Sequence, residues 1–116
     1  MQERRHHPRR AASVRAEMYF EESGVWSTTL THDLCAGGAL FSAIEHVRPD
    51  EQVQLTLTLR EGTDPLRCNA AVRWSRPRDN GLHFFGLQFV DLSAKDRGKL
   101  AAFLALGTPE TEVCAV

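Results

Sequence analysis

The chain lacks most of the features that would set it apart from an ordinary soluble domain. No apolar run approaches the roughly 18–20 residues that a membrane span needs. The first residues are charged with no apolar stretch behind them, so no secretory signal is expected. Cysteine is scarce and odd in number. Cys35, Cys68 and Cys114 lie far apart, which suits reduced thiols in a cytosol better than a disulfide framework. His-x-x-x-His and Cys-x-x-Cys pairs are missing, so no metal site is expected. Gly-x-Ser-x-Gly, Walker and paired-carboxylate patterns are missing too, and nothing in the chain asks for catalysis or a cofactor. There is no internal repeat and no sign of a second domain.

What is present is one domain of 116 residues, 42% hydrophobic and 25% charged, ordinary values for a globular protein with a modest core. Charge is distributed unevenly. The chain carries a net -1, yet Arg4, Arg5, Arg9 and Arg10 crowd into residues 3–10 beside a single acid, Glu3. That arm is +3, and the remainder holds ten basic against fourteen acidic residues, or -4. A pI near 6.5 argues against general nucleic-acid binding, which calls for a basic balance over the whole domain.

Residues 1–12 show no hydrophobic periodicity and are expected to be a flexible cationic arm, with Pro8 disfavouring helix at His7. From Ser13 the pattern changes. Val14, Ala16, Met18 and Phe20 alternate with polar residues and read as a strand with one buried face. Val25 to Cys35 reads as a second strand, ended by Ala36-Gly37-Gly38, where paired glycines suggest positive φ and a sharp reversal. Ala39 to Ser42 gives a short third strand. Gln52 to Arg60 is the clearest strand, with Val53, Leu55, Leu57 and Leu59 on one face. Leu66 to Ser75 alternates again and puts Ala70, Val72 and Trp74 together. Asp79-Asn80-Gly81 marks a tight turn before Leu82 to Val90, where Phe85, Leu87 and Phe89 share a face. Ser93, with Asp96 three residues on, caps a helix whose stripe is Leu100, Phe103, Leu104 and Leu106, stopped by Gly107 and Pro109. Residues 107–116 are expected to fray. The expectation is therefore a mainly β fold over 13–106, a small six-stranded antiparallel barrel with a C-terminal α-helix.

Three constellations could carry chemistry. Arg5 and Arg9, spaced Arg-x-x-x-Arg, could fork onto a phosphate or the O6/N7 edge of guanine; a solvated charged terminus is the bland alternative. Asp33, at a strand end before Gly37 and Gly38, could accept from guanine N–H donors, or could simply cap the strand-to-turn junction. His32 and Cys35 are three apart, but a core or rim histidine is the simpler reading.

In order and spacing, Arg5-His6-His7-Pro8-Arg9 and Asp33-Leu34-Cys35-Ala36-Gly37-Gly38 resemble the PilZ domain family, bacterial receptors for cyclic di-GMP. The family pattern is Arg-x-x-x-Arg, then Asp/Asn-x-Ser-x-x-Gly. Ala71-Val72-Arg73-Trp74 and Phe85-Gly86-Leu87-Gln88-Phe89-Val90-Asp91-Leu92-Ser93 look similar too, and the likeness covers about residues 3 to 105. The resemblance implies the barrel-plus-helix fold and a cytoplasmic, non-enzymatic receptor that changes its surface for a partner protein on binding cyclic di-GMP. Its alternative is a PilZ-like interaction adaptor that binds no nucleotide. Arg5 and Arg9 would grip guanine edges and phosphates, Asp33 would accept from a guanine, and Gly37 and Gly38 would permit the turn and close approach. Arg4, just before the motif, would accompany a stacked pair of ligand molecules. Trp74 would stand where some members stack an aromatic on guanine, its alternative being a core tryptophan. Cys35 replaces the motif serine, and a thiol donates and accepts more weakly than a hydroxyl.

Overall fold

The structure is a computed structural model that describes residues 7–10, 13–43, 47–78, 81–106 and 111–112. Its elements in chain order are β1 (His7–Arg10), β2 (Arg15–Phe20), β3 (Val25–Leu30), β4 (Asp33–Cys35), β5 (Gly38–Ala43), β6 (Gln52–Thr58), β7 (Leu66–Pro77), β8 (His83–Phe89), α1 (Ala94–Leu106) and β9 (Thr111–Glu112). The strands form one antiparallel sheet in the order β3-β2-β6-β7-β8-β5-β4-β1-β9, curled into a half-barrel. This is the mainly β, helix-terminated fold expected from the periodicity, with three very short strands added to the six.

Period-two alternation decides which residues line the inside. Ala16, Met18 and Phe20 of β2 meet Val53, Leu55 and Leu57 of β6, and all six are buried. Phe41 of β5 and Phe85 of β8 pair across the sheet and stack with centroids 5.6 Å apart. Burial of each such large side chain contributes about 1.5–3 kcal/mol. Helix α1 begins where Ser93 Oγ accepts from the Asp96 N–H at 3.1 Å, the expected N-cap. Its residues Leu100, Phe103 and Leu104 are buried in the same core as Leu92 and the strands. The Leu106 side chain lies outside what is described.

Four local features depart from the sequence expectation. The expected Val25–Cys35 strand is broken at Thr31 and His32. The Thr31 N–H donates to the Val14 carbonyl (3.0 Å) and its Oγ1 accepts from the Val14 N–H (3.1 Å), which ties the bend to β2. The His32 N–H donates to the Leu40 carbonyl (2.8 Å), and the chain crosses from β2 to β5. The glycine turn also differs: among the described residues positive φ falls at Gly24, Gly62, Gly81 and Asp50, so the Cys35–Gly38 connection reverses without a left-handed glycine. Part of the expected flexible arm is strand β1, paired to β4 and to β9 of the tail, because β4 leaves β2 at the bend and exposes an edge for it. Finally, the β7–β8 register slips between Val72 and Trp74, leaving Arg73 as an extra, bulged residue.

Candidate functional site

That bulge reverses the facing of everything after it on β7. Before it, Val72 opposes Leu87 and is fully buried; after it, Ser75 opposes the buried Phe85, so Ser75 faces inward and Trp74 faces out. The reading of Trp74 as a core partner of Ala70 and Val72 is therefore overturned. Trp74 lies instead against Gly86, directly across the ladder. A Cβ at Gly86 would come within 2.8 Å of the indole Nε1 and 3.1 Å of Cε2. Only a residue without a side chain leaves the indole room to lie there.

Register then extends this pair into a row across four strands. Trp74 opposes Gly86, Gly86 opposes Leu40, and Leu40 opposes Asp33. Three strand spacings separate the ends of the row, about 14 Å. A second row, one step along, runs Ala71, Gln88, Gly38, Cys35 and Arg9. The register thus brings Arg9 of the arm beside the segment that carries Asp33, Cys35 and Gly38, although 23 residues separate Arg9 from Asp33 in the 116-residue sequence. Gly37 sits exposed in the turn, and a Cβ there would meet nothing within 4 Å. Arg4 and Arg5 lie outside the described residues.

A third row was not visible from the sequence. Arg76 opposes Phe84 and Phe84 opposes Ser42. His32, at the β3–β4 bend, stacks on Phe84 with centroids 5.1 Å apart, and its Nε2 is 3.0 Å from Ser42 Oγ. It is a rim histidine, one of the two simple readings. The guanidinium of Arg76 lies 5.2 Å from the Trp74 ring centroid, and that of Arg78 lies 4.5 Å from the Phe84 centroid. Cationic groups prefer such ring faces because the quadrupole presents negative charge there. The sequence did contain Arg73, Arg76 and Arg78 in six residues, but without the bulge they could not be assigned to a face.

The cysteines differ from expectation. Cys35 is disulfide-bonded and almost fully buried, rather than a reduced thiol, so its sulfur has no S–H to donate. Cys68 is free. Burial, then the charges of Asp91 and Asp96, push its thiol from 9.0 up to about 12, which keeps it protonated and unreactive.

Along these rows Gln88, His32 and Arg76 are exposed, and Asp33, Leu40, Trp74 and Phe84 are half-buried. Two grooves lie elsewhere, one of about 400 Å³ between the β6–β7 loop and α1 beside Phe103, the other of about 330 Å³ around Trp26, Arg67 and Asp91. Neither contains Asp33 or Trp74. No described helix is long and apolar enough to cross a membrane.

Comparison with known proteins gives a consistent answer. A structure of the Bacillus subtilis inhibitor of motility (MotI/DgrA) is similar with a TM-score of 0.74 and 21% identity, over 90% of this chain and 51% of that one. The chain thus spans about half the length of that protein. The crystal structure of the PilZ domain of CeSA, from a cellulose-synthesizing bacterium, is similar with a TM-score of 0.58 and 20% identity, over 84% and 94% of the two chains. No curated protein matches the sequence. The family model for the PilZ domain matches residues 3–106, and the chain belongs to the PilZ domain family.

Proposed function

We propose that this domain is a cytoplasmic, non-enzymatic receptor for cyclic di-GMP that alters the surface it offers a partner protein when the ligand binds. The observation that carries the reading is the β1–β4 register, which sets Arg9 opposite Cys35, two residues from Asp33. Arg5 and Arg9 fork onto guanine edges and phosphates, because a planar guanidinium matches both bidentately. Asp33 accepts from guanine N–H donors, and Gly37 and Gly38 keep the turn low enough for the ligand to approach. Trp74 supports stacking at the other end of the row. Arg4 supports a stacked pair of ligand molecules.

The switch follows from the topology. The arm is held by the four-residue strand β1, paired to β4 on one side and to the short β9 on the other. Positive charges along it repel one another, and ligand phosphates relieve that repulsion while tying the arm to Asp33. The partner then meets an arm fixed across the surface instead of one held by a short ladder alone.

One observation favours a second reading, an interaction adaptor that binds no nucleotide. Cys35, at the place of the motif serine, is in a disulfide and offers no donor. A missing hydrogen bond costs about 1 kcal/mol, several-fold in affinity, which weakens binding without abolishing it. Titration calorimetry with cyclic di-GMP at low salt separates the two. A saturable heat is expected, with stoichiometry reporting one ligand or a pair. A folded protein that shows no heat supports the adaptor. Arg5→Ala and Arg9→Ala should each abolish binding and leave the melting temperature nearly unchanged.

A further inference from the structure

We propose that Arg76 and Arg78 contact the ligand directly, as the wall of the binding surface opposite the arm; the inference rests on the cyclic di-GMP reading above. The two guanidiniums lie over Trp74 and Phe84 on the outward face, in the row next to the one that ends at Asp33. Adjacent rows are about 7 Å apart, two residues along a strand. The β1 arm lies four strands from β7, about 19 Å. A purine–phosphate ligand on the Gly86–Leu40–Gly38 floor therefore meets cationic groups at its β7 end, opposite the strand that carries Arg9.

Three observations make these arginines more than solvated charge. Neither pairs with a carboxylate among the described residues. Each guanidinium is laid on a ring, which restricts its rotamers before any ligand arrives and reduces the entropy lost on binding. The rings are themselves positioned, Trp74 by the space over Gly86 and Phe84 by the stacked His32. A planar base arriving above Trp74 meets the Arg76 guanidinium, which can stack on the base and fork onto a phosphate, and Trp74 acts as its support.

The test is calorimetry with cyclic di-GMP at two salt concentrations on wild type, the Arg76→Ala/Arg78→Ala double variant and Arg76→Lys/Arg78→Lys. Loss of charge-assisted contacts should weaken binding by roughly tenfold or more in the alanine variant, with a shallower salt dependence. The lysine variant should recover only part of the loss, since an ammonium keeps the charge but neither stacks nor forks. Both side chains are peripheral, so the melting temperature should stay within about 2 °C of wild type. Wild-type binding with an unchanged affinity and salt dependence in the alanine variant overturns this inference and leaves the receptor reading standing. Full recovery by lysine overturns the stacking role. Absence of binding by wild type overturns both proposals together.

Discussion

Substitution of Gly86 by alanine tests the geometry on which the outward face of Trp74 depends. Glycine inside a strand ordinarily costs about 0.5–1 kcal/mol relative to alanine, because the unfolded chain has more freedom to lose. Gly86 has no positive φ, so its backbone accepts alanine without strain. By that argument alone Gly86→Ala should stabilise. The indole opposes it: the new methyl would sit 2.8 Å from Nε1, inside any normal contact, and the ring must move. Overpacking of this kind costs about 1–3 kcal/mol, and half-buried Trp74 can swing outward, which favours the lower part of that range. The net expectation is a destabilisation of about 1 kcal/mol, a fall of about 4 °C in melting temperature. In a Trp74→Ala background the clash is gone, and the same substitution should stabilise by about 0.5–1 kcal/mol. Thermal and urea unfolding of the four proteins closes the cycle, with an expected coupling of about 1.5–2 kcal/mol. A coupling below about 0.3 kcal/mol, with Gly86→Ala equally favourable in both backgrounds, would refute the bulge-directed placement of Trp74.

Other consequences are simpler to measure. Ser93→Ala removes the acceptor for the Asp96 N–H and should cost about 1 kcal/mol in urea unfolding, whereas Ser93→Asp should restore it. Leu100→Ala empties a fully buried site between helix and sheet and should cost about 2–5 kcal/mol, with the result expected as a lower urea midpoint. Cys68, raised to about 12, stays protonated while the unfolded thiol ionises near its ordinary value. Its contribution to stability is thus fully present below pH 9 and is lost as pH rises toward 12. Alkylation of Cys68 at pH 8, followed by peptide mass, should be at least about tenfold slower in the folded protein than in urea. Cys35→Ser breaks the disulfide of this buried sulfur and should lower the urea midpoint, while the new hydroxyl should tighten cyclic di-GMP binding a few-fold by calorimetry; an unchanged or weaker affinity in the folded variant would remove Cys35 from the binding role.

The fold was legible because it rests on local periodicity. Val53, Leu55 and Leu57 alternate in the sequence and alternate in burial, and Ser93 caps the helix from three residues away. The family, too, could be read from short motifs in the right order, Arg5 to Arg9 and Asp33 to Gly38, and residues 3–106 match its model. The arrangement of the site was legible only in part. Asp33 and Arg9 were named from the sequence, but their adjacency depends on β1 pairing with β4, a contact between distant segments that no local pattern encodes.

Tertiary structure alone decided three things. A one-residue slip at Arg73 moved Trp74 from the inner to the outer face, and period two then carried Arg76 out with it. Sequence alternation cannot reveal such a slip, because the extra residue is defined by its partner strand and not by its own identity. The bend at Thr31 and His32 turned one expected strand into two, and so freed the edge that β1 occupies. The bonding state of Cys35 depended on which chain segments meet, which the number and spacing of cysteines could not supply. Residue identity along the chain therefore determined the strands, the helix and the chemical inventory. Which of those groups face one another was set by register and strand order, because hydrogen-bonded pairing joins residues by position in space and not in sequence.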